Sequence, residues 1–179
     1  HRSVSSRIIE GESRRRWSSG LKGPIKAGSF GVRFWGARGS LPHLSPEQIR
    51  HGGNTMCIEV LHSGDERIIL DAGTGIANLG DRILSEDSEG GTVHLLISHY
   101  HWDHIMGLPF FGPIYRPGFT VNLYGLNGEA GQVESMLDVV FSPYYSPIYS
   151  PDNLLGNLTV PEHRTTWTVD DIELGTYEL

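Results

Sequence analysis

Three imidazoles and a carboxylate fall within six residues of this chain, in the run Ser98-His99-Tyr100-His101-Trp102-Asp103-His104. Polar groups crowded in this way desolvate and repel one another unless a shared cation or a hydrogen-bond network compensates them. Zinc is bound by neutral imidazole nitrogen and by carboxylate oxygen, and its catalytic sites keep a position open for water. The apolar run Val93-His94-Leu95-Leu96-Ile97 just before the cluster reads as a buried strand. Ile105, Met106, Gly107 and Leu108 after it read as the opening of a helix. The cluster therefore belongs at a strand end, where open α/β sheets place their ligands. The chemistry this implies is a metal-activated water.

With 179 residues the chain is long enough for one domain with a sizeable core. No window approaches eighteen consecutive apolar residues, which argues against a membrane-spanning helix, and no charged-then-apolar leader is visible. The single cysteine, Cys57, is compatible with a reducing compartment, so a cytoplasmic location is expected. In its strand-like setting, Met56-Cys57-Ile58-Glu59-Val60, it reads as a small buried hydrophobe. Charge is uneven: residues 1–28 hold seven basic residues against two acidic ones, a net +5, and with −7 overall the remainder carries −12. An acidic body repels nucleic-acid phosphates, which argues against nucleic acid as the partner. Residues 1–28, rich in Arg, Ser and Gly without apolar periodicity, read as a basic flexible arm, and residues 29–179 as the folded domain. The chain starts at His1 rather than Met, so an upstream segment is expected to have been removed.

A first strand is expected at Phe30–Trp35, followed by the glycine-punctuated loop Gly36–Ser40. After the turn Gly52-Gly53-Asn54-Thr55, strands at Met56–Leu61 and Arg67–Asp71 form a hairpin across Gly64-Asp65. Thr74 is placed to cap a helix carrying Ile76, Leu79, Ile83 and Leu84 at helical spacing. Beyond the cluster come a strand at Phe119–Tyr124 and a helix capped by Asn127, with Ala130, Val133, Leu137, Val140 and Phe141 on one face. Residues 142–157, rich in Pro, Tyr and Ser, read as an excursion loop, and Thr165–Val169 and Ile172–Leu179 as two strands. Strands interleaved with helices make the class mixed α/β.

In an extended segment, residues two apart point the same way, so His99 and His101 can grip one metal. Asp103 and His104 follow where the chain turns and can serve a second. Two cations about 3.5–4 Å apart can hold a bridging hydroxide and polarise a carbonyl or phosphoryl oxygen, and the bound water's pKa falls from about 15.7 towards 7.

His99-x-His101-x-Asp103-His104 after an apolar strand resembles the signature of the metallo-β-lactamase fold superfamily. The flanks Val32–Ser40, Gly52–Thr55, Leu70–Gly75 and His101–His104 with Gly107–Phe111 resemble its phosphodiesterase-like branch, related to tRNase Z and cyclic-nucleotide phosphodiesterases. The resemblance runs from Phe30 to the chain end. It implies an αββα sandwich with the metal site at one edge of the two sheets. His99 and His101 would hold the first metal, and Asp103 and His104 the second. Asp103 and Asp71 would be the catalytic carboxylates, Asp71 fixing an imidazole through its other ring nitrogen. Two zinc ions are the implied cofactors, with manganese or iron as alternatives. The implied partner is a small-molecule phosphodiester; a second copy of the chain is also kept as a candidate partner.

Members of that superfamily carry a further His, a bridging Asp and a final His downstream, whereas only His163 follows the cluster here, and it reads as a surface-loop residue. The chain is accordingly expected to be the N-terminal portion of a longer metal-dependent hydrolase, with its second sheet incomplete. The alternatives are a lactone, thioester or β-lactam substrate, or a truncated metal-binding module without catalysis. Tyr144, Tyr145 and Tyr149 in the excursion, and Arg33 and Arg38 near the first loop, are weaker candidates for substrate contact.

Overall fold

The computed structural model describes residues 30–46, 50–125, 131–144, 146, 157–162, 166–170 and 172–175. The arm over residues 1–28, together with Asn127, Ala130, Tyr145, Tyr149 and His163, lies outside the described residues.

Six strands form a central sheet in chain order: β1 (Gly31–Gly36), β2 (Cys57–Leu61), β3 (Arg67–Leu70), β4 (Gly91–Ile97), β5 (Phe119–Gly125) and β6 (Asn157–Thr159). β1, β2 and β3 run antiparallel, while β3, β4, β5 and β6 run parallel. Parallel neighbours need a crossover. Helix α1 (Gly75–Glu86) supplies it between β3 and β4, and α3 (Gln132–Val140) lies between β5 and β6. From β4 to β5 the chain passes through the short helix α2 (Trp102–Ile105) and two 3-10 turns at Leu108–Phe110 and Gly112–Tyr115.

The central strands alternate between two buried faces. Ile69, Val93, Leu95, Ile97, Val121 and Leu123 pack against Ile76, Leu79 and Ile83 of α1 and Met136, Leu137 and Val140 of α3. On the other face Ile68 and Leu96 meet Val169, with Trp167, Ile172 and Leu174 around them. These last residues belong to an antiparallel pair, β7 (Thr166–Val169) and β8 (Ile172–Gly175), which forms a second small sheet. The Asp170 carboxylate ties that hairpin to the central sheet by accepting the Glu66 N–H at 3.0 Å. The layers are thus helices, a six-stranded sheet and a two-stranded sheet, the mixed α/β class expected. Val32 and Phe34 on β1, opposite Val60 and Ile58, stay 51% and 60% exposed, so the hairpin leaves the β1 edge of that face uncovered.

Three local expectations are corrected. Thr74 stands at the N-cap of α1, but its hydroxyl makes no capping bond. It accepts the Thr55 N–H at 2.9 Å and donates to Asn54 Oδ1 at 3.1 Å, locking the Gly52–Thr55 turn to the helix start instead. The second long helix begins at Gln132 after Gly131, whose φ of 85° suits glycine. The last residue of the expected excursion loop, Asn157, opens β6, an edge strand paired with Thr120–Asn122 that the sequence reading did not include. Cys57 is fully buried, and burial, reinforced by the charges of Glu59 and Asp71, pushes its thiol well above the ordinary range. It is a packing residue, as its sequence setting suggested. Among the described residues no helix is long and apolar enough to cross a membrane.

A buried ionic knot binds the antiparallel half to α1. Glu59, 1% exposed, accepts from Arg33 and from the Trp35 indole, each at 3.0 Å, and from Arg67 at 3.2 Å. Arg67 also reaches Glu86 and Asp87 at the end of α1, at 3.1 and 2.7 Å. Arg33 is therefore a structural cation, not a free phosphate contact. Removing one partner from a buried pair typically costs about 3–5 kcal/mol. Because Arg67 keeps two other carboxylates, Glu59→Ala is expected to lower unfolding free energy by about 3 kcal/mol in urea titration. A loss below about 1 kcal/mol would show that the knot contributes little.

Candidate metal centre

β4 ends at Ile97, and the next residues cross over the open end of β3. There Asp71 has φ 64°, left-handed for a non-glycine residue. That conformation costs an ordinary side chain roughly 1–2 kcal/mol. It is held by what the carboxylate receives: Oδ1 accepts the Ser98 N–H at 2.8 Å and lies 2.8 Å from the Ser98 hydroxyl, while Oδ2 lies 2.9 Å from His104 Nδ1. Hydrogen bonds to a charged group contribute about 1.5–3 kcal/mol each, so the three outweigh the backbone cost.

These contacts assign the imidazole tautomers. His104 donates Nδ1–H to Asp71, which leaves the lone pair of Nε2 pointing outward, 3.5 Å from Asp103 Oδ2. The Ser98 hydroxyl, donating to Asp71, accepts from His99 Nδ1 at 3.0 Å. His99 Nε2 then carries a lone pair as well, and it lies 3.1 Å from His101 Nδ1. The rings lie close, His99 tilted against His104 with centroids 4.1 Å apart and edge-on to His101 at 4.5 Å. Desolvation lowers the pKa of His99, and the neighbouring His104 and His101 lower it further, which favours the neutral, ligating form. Asp103 is held below the usual carboxylate range chiefly by the Ser40 N–H, which it accepts at 2.8 Å. It is therefore ionised and oriented.

The backbone underneath is fitted without slack. Ala72 N–H bonds His104 O at 2.7 Å, Gly107 N–H bonds Ala72 O at 2.8 Å, and Gly73 N–H bonds Met56 O at 2.8 Å. A Cβ at Gly73 would collide with the Asp103 carbonyl, the Thr55 hydroxyl and the Met56 carbonyl. This is why glycine stands there, in a turn that in sequence looks merely like a strand-to-helix connection.

All five residues singled out from the sequence, His99, His101, Asp103, His104 and Asp71, are thus brought to one place. His94 is not part of it: its ring nitrogens meet Glu66 at 2.7 Å and Tyr124 at 2.9 Å on the opposite face of the sheet. Sequence reasoning missed Ser98 and Ser40. The first stood inside the cluster without a visible role, and the second acts through its backbone amide, which no residue type advertises.

Residues 49–119, from the turn before Gly52 to the start of β5, match the metallo-beta-lactamase superfamily. The mixed α/β architecture around a central sheet is consistent with the metallo-beta-lactamase fold. An atrochrysone carboxyl ACP thioesterase of Aspergillus novofumigatus is 29% identical, across 73% of this chain and 52% of that protein. Another, from a Cryptosporiopsis species, is 28% identical across 60% of this chain and 41% of its own. A lactamase-like protein of an Aspergillus species is 29% identical across 65% and 43%. The chain therefore spans about half the length, or less, of these curated relatives. No solved structure matches it significantly. The three relatives carry thioesterase or lactamase-like names, so the phosphodiesterase branch draws no support from them.

The metallo-beta-lactamase superfamily implies bound metal, and the donors can be tested for fit. Two nitrogens on one zinc at 2.0–2.1 Å lie about 2.8–3.4 Å apart for angles between square and tetrahedral. The His99–His101 pair, at 3.1 Å, fits, and His104–Asp103, at 3.5 Å, is at the margin. Among the described residues no three His, Cys, Asp or Glu side chains converge on one ion, so each pair supplies two donors. The residues fit metal in chemistry and in pairwise spacing. Partners that orient a ligating imidazole typically change metal affinity by 10–100-fold. Asp71→Ala in the full-length protein is therefore expected to weaken metal binding by about 10–100-fold in chelator competition, with Asp71→Asn intermediate. Unaltered affinity in both variants would remove Asp71 from the site.

Proposed function

We propose that the complete protein is a metal-dependent hydrolase and that its substrate is an acyl thioester. The observation that carries the hydrolase reading is the convergence of His99, His101, Asp103 and His104 beside Asp71, with two imidazole lone pairs and one carboxylate facing outward. Thioester specificity is supported by the relatives named as ACP thioesterases. His99 and His101 would hold one ion, Asp103 and His104 the other. Divalent metal, when bound, supplies a hydroxide at neutral pH by lowering the pKa of water from about 15.7 towards 7.

The chain's own residues do the positioning. Asp71 keeps the proton of His104 on Nδ1. Ser98 relays the same carboxylate to His99, so one acid orients two rings. Ser40 N–H fixes Asp103 and keeps it anionic.

A phosphodiester is the second reading. It is favoured by the flanking segments, and by Arg38 in the loop that ends on Ser40, whose Nε is buried without a partner among the described residues. The two readings separate in one assay on the full-length, metal-loaded protein. Turnover of decanoyl-coenzyme A should exceed turnover of bis(p-nitrophenyl) phosphate by at least tenfold, and His101→Ala should lower metal content and abolish both. Faster phosphodiester cleavage would select the second reading; full activity in His101→Ala would sink both.

A further inference from the structure

Beside the donors lies a pocket of about 390 Å³, walled by Tyr100, Trp102 and Ile105 on one side and Met136 and Val139 of α3 on the other. That volume is at the lower end of the range for small-molecule sites, about 300–1,000 Å³. Tyr100 and Trp102 alternate in sequence with His99, His101 and Asp103, so the pocket wall and the donor set share one stretch of backbone. Neighbouring Cα atoms are about 3.8 Å apart and successive side chains leave an extended segment on opposite sides, so an acyl chain whose carbonyl is held at the donors enters the pocket by reaching round this segment.

The lining chemistry selects the occupant. Among the described residues no charged side chain borders the pocket; its polar members are Gln132 and Ser135, and the Ser135 hydroxyl already donates to Gly131 O at 2.8 Å. None of the described lining residues supplies a positive charge for a phosphate. Trp102 and Val139 nevertheless remain 53% and 47% exposed, apolar surface that an apolar ligand would cover. Tyr100 keeps its place because Gly125 has no side chain; a Cβ there would collide with the Tyr100 hydroxyl and with Val133.

We propose that this pocket between α2 and α3 is the specificity site for the acyl group, taking a medium-length aliphatic chain or an aryl group. The proposal rests on the thioester reading above. Val139→Trp fills the pocket and Val139→Asp charges its wall, both at a half-exposed helix position that the core does not need.

In the full-length metal-loaded protein, calorimetric titration with decanoate should show binding that weakens at least tenfold in both variants. The ratio of kcat/KM for decanoyl- over acetyl-coenzyme A should fall at least tenfold, with melting temperature retained. Decanoate binding unchanged in both variants overturns the pocket, whatever the thioesterase result. Val139-dependent decanoate binding without any thioester turnover supports the pocket and fails the thioester reading. Adenosine monophosphate binding in place of decanoate, lost in Val139→Trp, overturns the acyl assignment.

Discussion

The carboxylate of Asp71 is the point on which this site depends. It stands just past β3 in a left-handed conformation and gathers the first residue after β4 and the histidine of α2 through contacts of 2.8–2.9 Å. Without it, three imidazoles would share a small volume with no preferred tautomer and with mutual repulsion on protonation. With it, His104 directly and His99 through Ser98 present the same ring nitrogen outward. A single buried acid thus converts a crowded sequence into an ordered set of lone pairs, the arrangement a divalent cation requires.

Such an acid can be held only on a rigid support. The parallel run β3–β4–β5 is buried on both faces, by α1 and α3 on one side and by the β7–β8 hairpin on the other. Its apolar alternation fixes register, since a one-residue slip would turn Ile69 and Leu95 to the wrong face. The antiparallel half is anchored differently, through Glu59 and Arg67 to the end of α1. Hydrophobic burial places the strand ends, and the ionic knot stops β1 and β2 from shifting against the helix that starts at the site. Among the described residues, the exposed side of β1 and the apolar pocket beside α2 are two of the places where this packing leaves large apolar groups uncovered, and Leu41, Leu44 and Phe110 are others.

Much of this was legible in the residue order. The β2–β3 hairpin, α1, β4 and β5 follow from period-two and helical spacing, because those patterns report burial of one face, a local property. Errors fell where a residue had two competing partners. Thr74 has the chemistry of a cap, yet its hydroxyl is taken by Thr55 and Asn54, twenty residues or so upstream in the chain. β6, which begins where the Pro- and Tyr-rich stretch ends, went unread because an edge strand of three residues leaves no periodicity to read. Arg33, only a weak candidate for an anion contact in the sequence, has Glu59 opposite it in the fold.

By itself the sequence determined where the candidate donors lie: histidines two apart at the end of an apolar run must emerge together at a strand end, since strand geometry alternates side chains by local covalent rules. It also determined the class, through the alternation of strands and helices. Only the tertiary structure decided how those donors are held. Asp71 meets Ser98 across 27 residues, and Ser40 meets Asp103 across 63. The glycine at 73 is needed because another segment's carbonyl passes over it. Contacts of that kind come from chain crossings set by the whole core, and no local periodicity carries them.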